Sequence, residues 1–166
     1  MAKKIQTVLL PMGAKVPGYD LAAIMRPADQ VGGDYYDVFR RAEQEWVLIG
    51  DVSGHGVPAG LCMMMIQTAL RTAALALERG ERPLTPRHLL GLVNEAVQGN
   101  LQQIGHNQYM TITALCITGR TVRYAGLHLD LLVYRATTQK VECIATQGVW
   151  LGLRMMTSAS SCRMTS

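Results

Sequence analysis

The 166-residue sequence has no long run of basic residues. Its 16 lysines and arginines are scattered against 12 acidic residues, giving a formal charge of +4. Nucleic-acid binders concentrate such charge on one face or in a tract, so that class is set aside. There is no C-x-x-C pair, and no histidine lies close to any of the four cysteines, Cys62, Cys116, Cys143 and Cys162. Three of them sit among apolar residues and read as small buried hydrophobes. There is no signal-peptide pattern: the basic Met1-Ala2-Lys3-Lys4 is followed by an apolar stretch broken at Gln6 and Thr7. The longest apolar stretch, Val57 to Leu77, is interrupted by Pro58, Gln67 and Arg71, which suits a buried helix better than a membrane span. Internal repeats and Pro-, Gly- or Ser-rich linkers are also missing. The expectation is one domain in a reduced, cytoplasmic setting, with no membrane and no nucleic-acid partner.

What is present is enough apolar material for a core: 49% hydrophobic residues against 17% charged. Ile5 to Leu10 reads as the last turn of a helix ending at Pro11. Strands are predicted over Tyr19–Arg26, Asp34–Arg40 and Glu45–Asp51, the last an apolar run closed by a carboxylate. The pattern then changes to Ala, Leu and Met without breakers after Gly60, predicting a helix from Val57 to about Arg79. Pro58 is tolerated in its first turn. A second helix is predicted from about Pro86 to Ile104, with Thr85 as N-cap and Leu89, Leu92, Val93 and Ala96 along one face. Strands return over Tyr109–Ile117, Thr121–Ala125, Leu131–Arg135 and Val141–Thr146. Strands, two adjacent helices, then strands again predict an α+β fold of antiparallel sheet covered by helices.

Two acidic clusters carry the candidate chemistry: Val31-Gly32-Gly33-Asp34-Tyr35-Tyr36-Asp37 and Gly50-Asp51-Val52-Ser53-Gly54-His55-Gly56-Val57-Pro58-Ala59. In the second, a carboxylate closes a strand and a glycine-rich turn leads directly into a helix. Hard divalent cations take oxygen ligands of this kind, and the amides opening the helix favour an anion such as phosphate. Taken singly, each feature reads equally well as structure. Asp before a glycine turn is common, Gly32-Gly33 suits a bulge, and Asp34 and Asp37 suit solvated turns. His55 suits a polar loop, and Met63-Met64-Met65 suits core filling. His88, His106 and His128 are too dispersed along the chain to suggest a zinc site.

The ordered combination resembles the metal-dependent (PPM, protein phosphatase 2C-like) serine/threonine phosphatases, in the branch of the bacterial sporulation and general-stress regulators. It runs through Gln6, Leu9-Leu10-Pro11, the two acidic clusters, Tyr109-Met110-Thr111 and Tyr124-Ala125-Gly126, covering roughly Ile5 to Leu153. The resemblance implies an α–β–β–α sandwich of antiparallel sheets with a pair of Mn²⁺ or Mg²⁺ ions at one end. Asp51 matches the aspartate that bridges both ions, and Val52 the position whose backbone carbonyl completes one of them. Asp34 matches the acidic residue beside the metals, and Asp37 a supporting or metal-adjacent position. The chemistry implied is hydrolysis of phosphoserine or phosphothreonine on a small STAS-domain regulator by metal-activated water. No general-acid role carries over to His55, because its spacing from Asp51 differs from that of the histidine in other branches.

The chain also departs from the family. Members continue past the region of Leu151-Gly152-Leu153 into strands bearing two further metal carboxylates, whereas Asp130 and Glu142 are the only acids after Tyr109 here. The stretch Gly126-Leu127-His128 lacks the histidine usually found directly after the glycine. Residues 154–166 read as an atypical tail without acids or a strand pattern. Met155-Met156-Thr157 must be encoded ATG-ATG-ACN, which read two bases later gives Asp-Asp, so a frameshifted end is expected. Lost C-terminal strands would leave sheet edges to be covered, including by a second copy of the chain. The alternative function is a phosphatase-like binding module that recognises its partner without turning it over.

Overall fold

A computed structural model describes residues 11, 13–25, 31–41, 43–78, 84–104, 108–148, 150–153 and 162–165. The expected helix end at Ile5–Leu10 lies outside them, as does Arg26. Among the described residues, seven strands and two helices run in the order β1 (Asp34–Arg41), β2 (Gln44–Val52), α1 (Gly56–Glu78), α2 (Pro86–Ile104), β3 (Met110–Thr118), β4 (Thr121–Leu127), β5 (Leu131–Arg135), β6 (Lys140–Ile144) and β7 (Cys162–Thr165). The fold is the mixed α and antiparallel-β arrangement predicted from the pattern of elements. One sheet has the order β1-β2-β3-β4-β7 and a second consists of β5 and β6.

Side-chain alternation decides which face of the main sheet is covered. In β1, Tyr35, Asp37 and Phe39 are buried towards the helices; in β2, Trp46, Leu48 and Val52 are fully enclosed. Helix α1 packs over β1 and β2, and α2 over β3 and β4. Met63, Ile66 and Leu70 of α1 join Leu89, Val93 and Leu101 of α2 in one core with Ile112 and Ala114 of β3. Thr85 caps α2 as predicted, its hydroxyl accepting from the His88 amide at 3.2 Å. The face of α2 differs from the prediction: Leu90, Asn94 and Val97 are buried, while Leu92 is 38% exposed. Core contact comes from both i+3 and i+4 steps, and Asn94 earns its burial by bonding the Gly152 amide at 2.8 Å and the Leu153 carbonyl at 3.3 Å.

Helix α1 is long and apolar enough by composition to cross a membrane over Gly56–Leu77, yet one face fills the core. Its Arg71 reaches down to Asp37, whose side chain is completely buried. Arg71 donates two bonds to the Asp37 carboxylate, one at 2.7 Å, and its guanidinium lies 4.6 Å above the Phe39 ring. The Tyr35 hydroxyl and the Val38 amide complete the carboxylate's partners at 3.0 and 2.8 Å.

Three expectations are corrected. The described part of the Tyr19–Arg26 segment, residues 19–25, forms no strand: within it Tyr19 makes a bridge to Val16, and Leu21 and Ile24 are exposed. The tail, read as lacking a strand pattern, supplies β7, which pairs antiparallel with Thr121–Tyr124 and covers the β4 edge. Cys143 is exposed on β6, unlike the buried Cys62 and Cys116. The other strands and both helices lie within two residues of their predicted bounds.

Candidate metal centre

The β1–β2 register places Asp34 directly opposite Asp51, and β2–β3 places Asp51 opposite Thr111. Cross-strand partners point to the same face of a sheet, so the two carboxylates emerge together on the face away from the helices. Both reach solvent. Burial lifts the Asp51 carboxyl above its usual range, and the charge of Asp34 lifts it further, with His128 and the Val52 amide opposing. A like-charged pair of this sort is what a cation relieves.

Gly33 opens the space beside that pair. The Val52 amide donates to the Gly33 carbonyl at 3.1 Å. A Cβ on Gly33 would stand 2.4 Å from the Val52 carbonyl oxygen and 2.9 Å from Asp51 Oδ1. Only a residue without a side chain leaves both oxygens unobstructed here. Two carboxylates, a backbone carbonyl and a cradle that a methyl group would fill constitute an oxygen-only donor set, which fits Mg²⁺ or Mn²⁺. The set is small: among the described residues no three His, Cys, Asp or Glu side chains gather with metal-holding geometry.

The structure separates Asp37 from Asp34 and Asp51. Three residues on from Asp34, it points through the opposite face of β1 into the ion pair with Arg71. It supports the strand from behind and contributes no oxygen to the cradle. His55 stands exposed in the turn from β2 to α1.

Sequence reasoning missed His128. Its ring nitrogen Nδ1 lies 2.8 Å from the Thr111 hydroxyl, which in turn donates to the Asp51 carbonyl at 3.2 Å. Partial burial lowers the His128 basicity, and the charges of Asp51 and Asp34 partly restore it. A cavity of about 480 Å³ lies beside the cluster, lined by Leu21, Asp34, Tyr36, Gly50 and His128 among others. No spacing rule signals His128, because β3 and β4 bring it to Asp51 across 77 residues of chain; the matched family stretch around Gly126 was the one available hint.

Behind the cluster, the Ser53 amide donates to the Tyr109 carbonyl at 2.8 Å, and the Tyr109 amide returns to the Ser53 hydroxyl at 3.1 Å. The Tyr109 ring stacks on Trp150 with centroids 4.6 Å apart. The motif Tyr109-Met110-Thr111 is thus the second wall of the site, holding the end of β2 where the turn into α1 begins.

Comparison with known proteins bears on the family and the fold. Residues 41–164 match the family model of stage II sporulation protein E (SpoIIE). Over 104 residues the chain is 36% identical to the phosphoserine phosphatase RsbU of Bacillus subtilis, covering 61% of this chain and 29% of RsbU. The chain therefore spans less than a third of that relative. The SiaA-PP2C domain of Pseudomonas aeruginosa superimposes with a TM-score of 0.77 at 22% identity, over 99% of this chain and 64% of that one. RsbX, solved in complex with magnesium, superimposes with a TM-score of 0.53 at 12% identity, over 82% of this chain and 60% of that one. The fold, the acidic motifs and the family match together place this chain in the SpoIIE family, as a PPM phosphatase domain of the SpoIIE/RsbU type.

Proposed function

We propose that the chain hydrolyses phosphoserine or phosphothreonine on a small regulatory protein of the STAS-domain, anti-sigma-antagonist type, using Mn²⁺ or Mg²⁺ held by Asp34, Asp51 and the Val52 carbonyl. The observation that carries this reading is the cross-strand pair Asp34–Asp51 beside the open cradle at Gly33. The chemistry such a cation supplies when bound is Lewis acidity towards water and towards the phosphoryl oxygens. Asp34 and Asp51 supply the negative charge that retains it. His128 is held beside this cluster through Thr111, its charge coupled to those of Asp51 and Asp34. The first turn of α1 follows Val52 within four residues, and its amides favour a phosphate nearby. RsbU, named a phosphoserine phosphatase, and the magnesium complex of RsbX support both the reaction class and the metal.

A second reading has its own observation. The described residues gather two carboxylates at the site and no third or fourth, which suits a phosphatase-like module that binds its partner without turnover. One assay separates the two: hydrolysis of a phosphoserine peptide with excess Mn²⁺, alongside the Asp51→Asn variant. The enzyme reading expects metal-dependent turnover that falls to background in Asp51→Asn with the melting temperature nearly unchanged. No turnover by the folded native chain would overturn it in favour of the binding module.

A further inference from the structure

The ladder between β2 and β3 ends in an irregular step. Val52 and Met110 are the last pair in register, which makes Ser53 and Tyr109 the next cross-strand neighbours. A hydrogen-bonded antiparallel pair exchanges two main-chain bonds, one in each direction. The first is present, the Ser53 amide donating to the Tyr109 carbonyl at 2.8 Å. The return bond from the Tyr109 amide goes to the Ser53 hydroxyl, at 3.1 Å. The hydroxyl takes the place that a main-chain carbonyl holds in a regular ladder. Its own proton lies towards Gln108 Oε1 at 3.5 Å. With the side chain closing the ladder, the main chain leaves the sheet at once. Gly54 has φ of +88°, and α1 begins at Gly56.

The peptide held by this step is the one that carries the Val52 carbonyl. The Val52–Ser53 bond is trans, so its carbonyl and its N–H point to opposite sides. Fixing the Ser53 N–H on β3 therefore directs the Val52 carbonyl towards β1, at the cradle beside Gly33. A single hydrogen bond lets the peptide plane rock about the bond axis. The second bond, from the Tyr109 amide to the hydroxyl, removes that freedom. Tyr109 is itself held, its ring stacked on Trp150. We propose that Ser53 is a positioning residue for the cation, its hydroxyl aiming the Val52 carbonyl at the metal through Tyr109. Hydrogen-bonding partners that orient metal ligands govern metal affinity by about 10–100-fold. The inference rests on the reading of Asp34, Asp51 and the Val52 carbonyl as metal donors. It is independent of what the substrate is.

The test is titration of the full chain with Mn²⁺ in the absence of substrate, the free ion being followed by electron paramagnetic resonance. Circular dichroism establishes that each variant is folded. Ser53→Ala should bind Mn²⁺ about tenfold or more weakly. Ser53→Thr and Ser53→Val share a shape and differ in the hydroxyl, which isolates the hydrogen bond from packing. The threonine variant should bind as the native chain does, and the valine variant as weakly as Ser53→Ala. Thr68→Ala is the control: it removes a hydroxyl bonded to the Met64 carbonyl at 3.0 Å on the exposed side of α1, and should leave the affinity unchanged. If Ser53→Val melts lower but binds Mn²⁺ as the native chain does, Ser53 is merely structural and the proposal is overturned. Equal affinities of the threonine and valine variants overturn it as well. A native chain that binds no Mn²⁺ overturns this proposal and the metal reading together. The expected affinity series without hydrolysis of a phosphoserine peptide would support the role of Ser53 and remove the enzyme reading alone.

Discussion

Replacing Arg71 with methionine is expected to destabilise the fold by about 3–5 kcal/mol, because it leaves the Asp37 carboxylate buried without a countercharge. The Asp37 side chain has no solvent exposure. The phenol of Tyr35 and the Val38 amide, which remain, are neutral donors. They cannot replace a guanidinium that also covers the Phe39 ring. For a chain of this length the melting temperature should fall by roughly 6–20 °C, read by calorimetry or circular dichroism. Removing both charges together, as Asp37→Leu/Arg71→Met, should recover much of the loss, since a well-packed apolar pair avoids the desolvation of two ions. If the single variant melts within a degree or two of the native chain, the pair is not holding α1 to β1. The same pair also bears on the metal site. It fixes β1 from the helix side, three residues beyond Asp34, so activity in the single variant should fall with stability and return in the double one.

The elements legible in the sequence are those whose own residues decide them. The run Trp46 to Gly50 is apolar, partly β-branched and closed by Asp51, and it forms β2 whatever surrounds it. Helix α2 carries its cap at Thr85 and its period within itself. Tyr19–Arg26 has a strand-like composition too, but a strand also needs a partner, and composition cannot supply one. The opposite error occurred at the tail. Cys162–Thr165 has no alternation worth reading, yet the edge of β4 offers unpaired backbone groups, and ladder bonds are made by the main chain.

The site divided along the same line. Asp34 and Asp51 lie in motifs of their own, each at the end of a strand, and both could be named from the sequence. Asp37 shares Asp34's motif, but strand alternation turns it through the sheet, and its partner Arg71 sits a helix away. An odd-numbered offset of three along a strand was itself a legible warning that the two carboxylates face opposite ways. His128 was dismissed for its distance in sequence from the other histidines. Its relevant neighbours are carboxylates, and the antiparallel return of β4 along β3 reduces that distance to two hydrogen bonds, from His128 to the Thr111 hydroxyl and from there to the Asp51 backbone carbonyl.

Gly126→Ala tests how tightly that return is built. Gly126 has φ of +99°, a conformation costing a residue with a side chain about 1–3 kcal/mol. A Cβ there would lie 2.1 Å from the Ile112 carbonyl oxygen and 2.9 Å from Leu90 Cδ1. The first contact is with backbone and cannot be relieved by a rotamer change, so overpacking adds about 1–3 kcal/mol more. The segment at Gln147-Gly148 bridges to the same residue from the other side, with Gly148 needing its own lack of Cβ against the Gly126 backbone. Strand β4 has no direction in which to yield without losing one neighbour or the other. A combined loss of about 2–6 kcal/mol is expected, together with a displaced His128 two residues on. Gly99→Ala is the matched control: it lies on the exposed side of helix α2 with nothing within 4 Å of the added carbon, and should stabilise by about 0.5–1 kcal/mol. Calorimetry on the two variants should therefore show opposite signs. Equal small losses would mean that β3 and β4 separate readily at this point, and that the Thr111–His128 bond is not rigidly held at the carboxylate pair.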